Sequence, residues 1–135
     1  MQWTPDLSVG VEDIDVQHRE LFRRITELVE AVKKKQCKFL IGGVMAFLHE
    51  YVVEHFGAEE ALMVKYDYPD YKAHRAQHVS FIARLGGMEE ELKNETSSYT
   101  RSVYVNQMVV DWILEHIKNV DTRLGAFLKA RTPAG

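Results

Sequence analysis

Apolar residues recur along the chain at the alternating spacings of three and four that place side chains on one face of a helix. The most regular run comprises Tyr71, His74, His78, Phe81, Leu85, Met88 and Leu92. Similar runs start near Asp15 and occupy residues 44–66 and 105–120. No segment alternates apolar and polar residues over the length of a strand. The pattern therefore predicts an all-α, up-down-up-down four-helix bundle, with residues 1 to about 14 as an extended N-terminal arm.

Glycine and proline refine this prediction at two places. Pro69, in the turn "KYDYPDY", is suited to the first position of the third helix. The Gly42-Gly43 pair is unusual inside a helix, and we hypothesise that it allows close approach of the N-terminal arm.

Composition fits an ordinary globular protein. The 135 residues are 46% hydrophobic and 27% charged, which predicts one domain spanning 1–135. The net charge of −3 argues against nucleic acid as a partner. No cationic amphipathic segment or long apolar run suggests a membrane. Cys37 is the single cysteine and no signal-peptide pattern is seen, so we expect a cytoplasmic protein.

The histidines carry the strongest functional signal. One histidine on an apolar helix face is usually an ordinary core residue. Here five of six fall on the predicted inward faces of four helices, and these are His18, His55, His74, His78 and His116. Burying five imidazoles without partners would be costly, so a shared partner is indicated. His49 lies on a different part of its helix and is predicted to be an exposed non-ligand.

The spacings around these histidines favour a metal centre. In "HFGAE" and "HRAQH", His55 and Glu59, and His74 and His78, lie one turn apart on one face. In "HIKNVD", His116 and Asp121 are five residues apart, which a regular helix would not point in one direction. A widened, π-type turn or the end of the helix is therefore predicted there.

The resulting set has seven candidate metal ligands: His18, His55, Glu59, His74, His78, His116 and Asp121. Seven ligands are too many for one tetrahedral zinc ion and suit two octahedral ions. A nitrogen-rich set with carboxylates that can bridge two ions favours iron.

Four motifs resemble those of the hemerythrin family: "IDVQH" at 14–18, "HFGAEE" at 55–60, "HRAQH" at 74–78 and "HIKNVD" at 116–121. The opening "WTPDLSVGVEDIDVQH" is similar to the single-domain bacteriohemerythrins. The resemblance implies reversible O2 binding at a non-haem centre of two Fe ions (Fe2+/Fe3+) with a bridging oxo or hydroxo group. It implies one iron on His74, His78 and His116, and another on His18 and His55 with a vacancy for O2. It also implies that Glu59 and Asp121 bridge the two.

Apolar neighbours of these residues are expected to keep the O2 pocket dry. The predicted lining residues are Phe56, Phe81, Trp112, Ile113 and Ile117. Ordinary core packing explains each of them about equally well.

The ligand set favours a carrier over an enzyme. Carboxylate-rich di-iron enzymes in helix bundles use Glu-x-x-His pairs, and this sequence contains none. We therefore predict O2 storage, transport or delivery, with O2 as the ligand and a transient protein recipient as a possible partner. O2 or redox sensing, an iron-binding role and a structural zinc bundle remain as alternatives.

Overall fold

The computed structural model describes residues 2–94 and 98–131. Its helices are α1 (Glu12–Lys33), α2 (Lys38–Lys65), α3 (Tyr71–Lys93), α4 (Tyr99–His116) and α5 (Thr122–Lys129), with a π-helical turn at Ile117–Asp121 joining the last two. These described residues contain no strand. Each of the four long helices packs against the next, and α1 also packs against α4. The predicted four-helix bundle is confirmed.

The N-terminal arm is held by the first turn of α1. The backbone N–H of Val9 donates to Asp15 Oδ1 at 2.9 Å, and the Ser8 hydroxyl donates to Asp15 Oδ2 at 2.5 Å. The helix begins at Glu12, three residues before the predicted start at Asp15. Within the arm, Pro5–Leu7 forms one 3-10 turn.

A glycine lets the arm approach closely, but it is not the predicted pair. A Cβ on Gly125 of α5 would collide with the carbonyl oxygen of Val9, so only glycine fits there. A Cβ on Gly42 would meet the side chain of Lys93, and one on Gly43 would meet nothing within 4 Å. The hypothesis for Gly42 and Gly43 was therefore wrong.

Pro69 is also placed differently from the prediction. The N–H of Tyr71 donates to the carbonyl of Tyr68 at 3.2 Å, so Pro69 occupies the second position of a tight turn. Proline favours that position because its φ is already set for it. The third helix therefore starts at Tyr71, two residues later than predicted.

The buried face of α3 matches its predicted stripe except at the half-buried Tyr71, whereas that of α2 matches only in part, at Leu48, His55 and Glu59. Val44, Tyr51 and Leu62, predicted to face inward on α2, are only half-buried. The buried apolar side chains of α2 are Ile41, Met45, Leu48, Val52, Phe56 and Met63. Because α2 is apolar on several sides, periodicity does not identify its inward face.

The bundle has two chemically different halves. The site end contains the N-terminal arm, the connection 66–70 and the π-helical turn. The far end contains the connection 34–37 and the first turns of α4. Hydrocarbon side chains fill the far end, among them Ile25, Leu28, Met45, Leu48, Leu85, Leu92 and Val105, each at most 1% exposed. Of the helices described, none is long and apolar enough to cross a membrane.

Candidate metal centre

The π-helical turn brings His116 and Asp121 to the same side of their helix. In an α-helix, residues five apart differ by about 140° in direction. In the wider π-type turn, where hydrogen bonds join residues five apart, they lie about one turn from each other. His116 is 4% exposed and Asp121 is 0% exposed, so both side chains enter the interior. The predicted widening is confirmed.

All seven predicted ligands meet at the site end, and each is buried. Their nitrogen and oxygen atoms form two groups in which the atoms lie within 4.8 Å of one another. One group contains Glu59, His74, His78, His116 and Asp121. The other contains His18, His55, Glu59 and Asp121. The two groups share the two carboxylates, so both carboxylates lie within reach of both sets of imidazoles.

The polar atoms of this cluster are close together but poorly hydrogen-bonded. Asp121 Oδ2 lies 3.0 Å from His18 Nε2, and Asp121 Oδ1 lies 3.1 Å from His74 Nε2. Even so, both oxygens of Glu59 and Asp121 and both ring nitrogens of His18 and His74 are buried without a hydrogen bond. Buried polar groups without partners cost free energy and are rare in folded proteins. Bound cations would supply the missing partners.

Three of the imidazoles are oriented by side chains from the preceding helix. His55 Nδ1 donates to Gln17 Oε1 at 2.6 Å, and His78 Nδ1 donates to Glu60 Oε2 at 2.9 Å. His116 Nδ1 donates to Gln77 Oε1 at 3.0 Å. Thus α1 orients a ligand of α2, α2 orients one of α3, and α3 orients one of α4.

These hydrogen bonds determine which ring nitrogen is free for a metal. A neutral imidazole has one N–H, and when Nδ1 carries it, Nε2 presents a lone pair. The Nε2 atoms of His78 and His116 face each other at 3.2 Å. Two lone pairs at that distance repel unless a cation lies near both. The donor set therefore fits a metal centre, with the partners that commonly orient metal-binding histidines.

The protonation states of the cluster also favour the binding of a cation. Burial and the Asp121 carboxylate act to raise the pKa of Glu59, but the surrounding imidazoles outweigh them and lower it to about 2. Burial likewise acts to raise the pKa of Asp121, yet His116, His18 and His74 hold it well below its usual value. Burial lowers the pKa of His55 to about 4, which keeps this imidazole neutral. Two ionised carboxylates among imidazoles form a site that attracts positive charge.

The imidazole of His74 holds a proton when no metal is bound. Burial acts to lower the pKa of His74, but the nearby carboxylates of Asp121 and Glu59 raise it to about 9. At neutral pH a metal ion therefore competes with that proton for the site.

Aromatic rings cover two of the imidazoles. Phe56 stacks on His78 with ring centroids 3.8 Å apart, and Trp112 stacks on His116 at 4.5 Å. Phe81 in turn stacks on Trp112 with ring centroids 3.8 Å apart. The remaining predicted pocket residues, Ile113 and Ile117, are buried. That these five residues line an O2 pocket stays a prediction.

Sequence reasoning missed Gln17, Glu60 and Gln77. A signal was present, because each is the direct neighbour of a predicted ligand in "QH", "EE" and "QH".

The prediction for His49 was partly wrong. His49 lies outside the cluster, but it is half-buried, with Nδ1 2.7 Å from Glu89 Oε2.

Comparison with known proteins gives a consistent result. The model of the family described as "Hemerythrin HHE cation binding domain" matches residues 9–128. Bacteriohemerythrin of Stenotrophomonas maltophilia is 30% identical over 128 residues, covering 95% of this chain and 81% of the relative. Bacteriohemerythrin of Methylococcus capsulatus is 28% identical over 131 residues, covering 96% and 98%.

A protein named as a myohemerythrin and a solved structure also match this chain. Myohemerythrin-1 of Phascolopsis gouldii is 26% identical over 119 residues, covering 88% of this chain and 87% of the relative. A crystal structure of wild-type hemerythrin superposes with a TM-score of 0.82 at 28% identity, covering 95% of this chain and 97% of that one.

Proposed function

Because the chain belongs to the hemerythrin family, we propose that it binds O2 reversibly at a non-haem centre of two iron ions held by the seven clustered side chains. The observation that carries this proposal is the pair of donor groups sharing Glu59 and Asp121. Two ions with bridging carboxylates satisfy both groups at once, whereas one tetrahedral zinc ion would leave several donors without a partner.

Each group is assigned to one ion. His74, His78 and His116 would hold the first iron, and His18 and His55 would hold the second. Glu59 and Asp121 belong to both groups and would serve both ions, and solvent would supply an oxo or hydroxo group. The second group contributes one donor residue fewer than the first, which supports the second iron as the one with a position for O2. When bound, the iron pair supplies the two electrons that O2 takes up and returns.

The chain's own residues orient the ligands and exclude water. Gln17, Glu60 and Gln77 hold three imidazoles with Nε2 directed at the centre. Apolar side chains around the cluster, Phe56 and Ile113 among them, limit the entry of protons, which would let the reduced oxygen leave as hydrogen peroxide without returning its two electrons. Neutral imidazoles and only two carboxylates suit a carrier better than an enzyme that oxidises substrates.

The biological setting follows as part of the same proposal. We place the protein in O2 storage, transport or delivery, as one hemerythrin-like domain over 1–135 in the cytoplasm, with a transient protein recipient of O2. Sensing of O2 or of redox state would instead require that O2 binding changes the protein's interaction with an output partner.

Metal analysis and optical spectroscopy test this function. Protein purified after growth with ample iron should contain two irons per chain. After anaerobic reduction, O2 should produce a visible absorption band that disappears under vacuum and returns with air. Zinc in place of iron, or no spectral response to O2, would contradict the proposal. Steady consumption of O2 with reductant would show an enzyme instead of a carrier.

Two histidine variants separate ligands from bystanders. His78→Ala should lower the iron content to one per chain or less and abolish the O2-dependent band, because His78 belongs to the five-residue donor group. His49→Ala is the matched control, since His49 also bonds a glutamate between α2 and α3 but lies outside the cluster. It should retain two irons and a normal spectrum. Loss of iron in His49→Ala would show that the site is assigned wrongly.

A further inference from the structure

The first half of α2 is apolar on the side that faces solvent as well as on the side that faces the core. Ile41, Met45 and Leu48 point inward and are at most 3% exposed. On the outer side, Phe39 is 86% exposed and Leu40 is 50% exposed. A helix that is apolar all round is normally covered all round, and an exposed apolar patch with a polar rim marks an interaction surface.

These outer side chains form a groove of about 730 Å³. We call it the α2 groove, and its apolar lining is Phe39, Leu40, Gly43, Val44, Ala46 and Phe47. Phe39 and Phe47 lie four residues before and after Gly43, so the two rings stand one turn to either side of it. A Cβ built on Gly43 would meet nothing within 4 Å. The groove therefore has a notch at Gly43 where another backbone can approach closely.

One wall of the α2 groove is fixed in place. The Arg24 guanidinium lies 3.6 Å from the ring centroid of Phe47 and 4.5 Å from that of Tyr51. The same group donates to the carbonyl oxygen of Phe47 at 2.9 Å. A wall that is ordered before binding loses little conformational entropy when a partner docks.

The two rims of the groove carry opposite charges. Glu27 of α1 borders one side and Lys93 of α3 borders the other. Both side chains are more than 40% exposed, and within the described residues each pairs with a neighbour on its own helix, Glu27 with Arg23 and Lys93 with Glu89. An anionic lipid surface would be repelled by the Glu27 rim. A second copy related by a two-fold axis along the groove would place each Glu27 opposite the Lys93 of the other copy.

We propose that the α2 groove is a homodimer interface, in which α2 of a second copy packs along α2 of the first about a two-fold axis. The two Gly43 residues lie where the helices cross, and the missing side chains allow close approach. Phe39 and Phe47 of each copy pack on either side of the crossing. The interface lies at the far end, so it leaves the surroundings of the metal centre unchanged.

Molecular mass in solution tests this proposal. Iron-loaded protein should sediment at twice the 15.6 kDa of one chain at high concentration and dissociate on dilution. Gly43→Glu should be monomeric over the same range. Because its Cβ has open space, this variant should fold normally, as its melting temperature and O2-dependent spectrum would show. A parent protein that is monomeric at every concentration overturns the proposal. A monomer that sediments with anionic vesicles overturns it as well.

Gly87→Glu is the matched control. Gly87 also lies on an exposed helix face with nothing within 4 Å of its Cβ, but outside the α2 groove. It should remain dimeric, and a dimer that persists in Gly43→Glu would place the interface elsewhere.

The pairing of Glu27 with Lys93 of the other copy has its own test. Glu27→Lys should weaken dimerisation, and adding Lys93→Glu in the same chain should restore it. Failure of that restoration in a folded protein rules out the two-fold arrangement.

Discussion

Helices α2 and α3 contain the same hydrogen-bonded pair twice, once at each end of the bundle. At the site end, His78 Nδ1 lies 2.9 Å from Glu60 Oε2. Towards the far end, His49 Nδ1 lies 2.7 Å from Glu89 Oε2. The difference is in the other ring nitrogen. His78 Nε2 faces His116 Nε2 in a buried cluster, whereas the half-buried His49 belongs to no such cluster. A histidine held by a glutamate is therefore not itself a sign of function.

The same contrast extends to the two halves of the bundle. The far end buries hydrocarbon, which stabilises the fold without any ligand. The site end buries two carboxylates and five imidazoles, many of them without hydrogen-bond partners. We therefore expect the far end to keep its structure without a ligand and the site end to depend on bound metal. Four predictions test this difference, beginning with the largest expected effect.

Removing the metal should affect the two ends unequally. Several buried polar groups at about 1 to 3 kcal/mol each predict a loss of about 5 kcal/mol. For a chain of this size, that loss lowers the melting temperature by about 10 to 20 °C. Hydrogen exchange measured by mass spectrometry should show faster exchange in residues 12–20, 55–62, 71–80 and 112–122. Residues 85–92 and 103–109 should remain protected. Equal loss of protection at both ends would contradict the contrast.

Core truncations should cost similar stability but differ in function. Leu48→Ala at the far end and Ile113→Ala near the metal centre should each cost about 2 to 4 kcal/mol, because both side chains are fully buried. A cavity beside polar groups admits water, while a purely apolar one stays dry. Ile113→Ala should therefore lose the O2-dependent band several-fold faster in air at fixed pH. Leu48→Ala should lose the O2-dependent band at the same rate as the parent protein. Equal rates of loss in all three proteins would show that Ile113 serves only core packing.

Removing the glutamate from each pair should change metal binding at one end only. Glu60→Ala leaves His78 without its orienting partner, and such changes typically lower metal affinity by about 10- to 100-fold. Glu89→Ala should leave metal affinity unchanged and cost about 1 kcal/mol or less, because its ion pairs are partly exposed. Competition with a chromophoric chelator measures both. Equal metal affinities for the two variants would show that Glu60 does not support the metal centre.

The smallest effect concerns pH. The pKa of His74 is raised to about 9 in the metal-free protein, so below that pH a metal must displace its proton. Co2+ affinity should rise about tenfold per pH unit between pH 6.5 and 8.5. Protonated His74 stabilises the metal-free fold, and this contribution is lost as the pH rises through about 9. The melting temperature of the metal-free protein should therefore fall over the same range. A flat affinity profile would mean that His74 does not hold this proton.

The sequence predicted most where polar and apolar residues alternate clearly. The stripe of α3 is surrounded by polar residues, so its buried face was predicted correctly, including His74 and His78. Helix α2 has apolar residues on both sides, and Val44 was therefore predicted to face the core. In the structure Val44 lines the α2 groove on the outer side. The spacing of His116 and Asp121 predicted a π-type turn or the end of the helix, because both residues had to face the cluster, and the structure contains the π-type turn.

Contacts between helices were harder to predict from the sequence. Gln17, Glu60 and Gln77 each bond a histidine on another helix, and a single sequence does not show which helices face each other at which height. The close approach at Gly125 likewise depends on where the arm crosses α5.

The π-helical turn also constrains how this protein can change during evolution. It adds one residue to the helix between His116 and Asp121. Deleting one residue there would leave His116 and Asp121 four apart in a regular helix, which also places them about one turn from each other. Asp121 would stay at the cluster, and Leu124 and Leu128 would stay in the core. A single deletion that removes the wide turn should therefore be tolerated among descendants that keep the metal centre, whereas each further insertion or deletion between these two residues would turn the following helix by about 100° and be selected against.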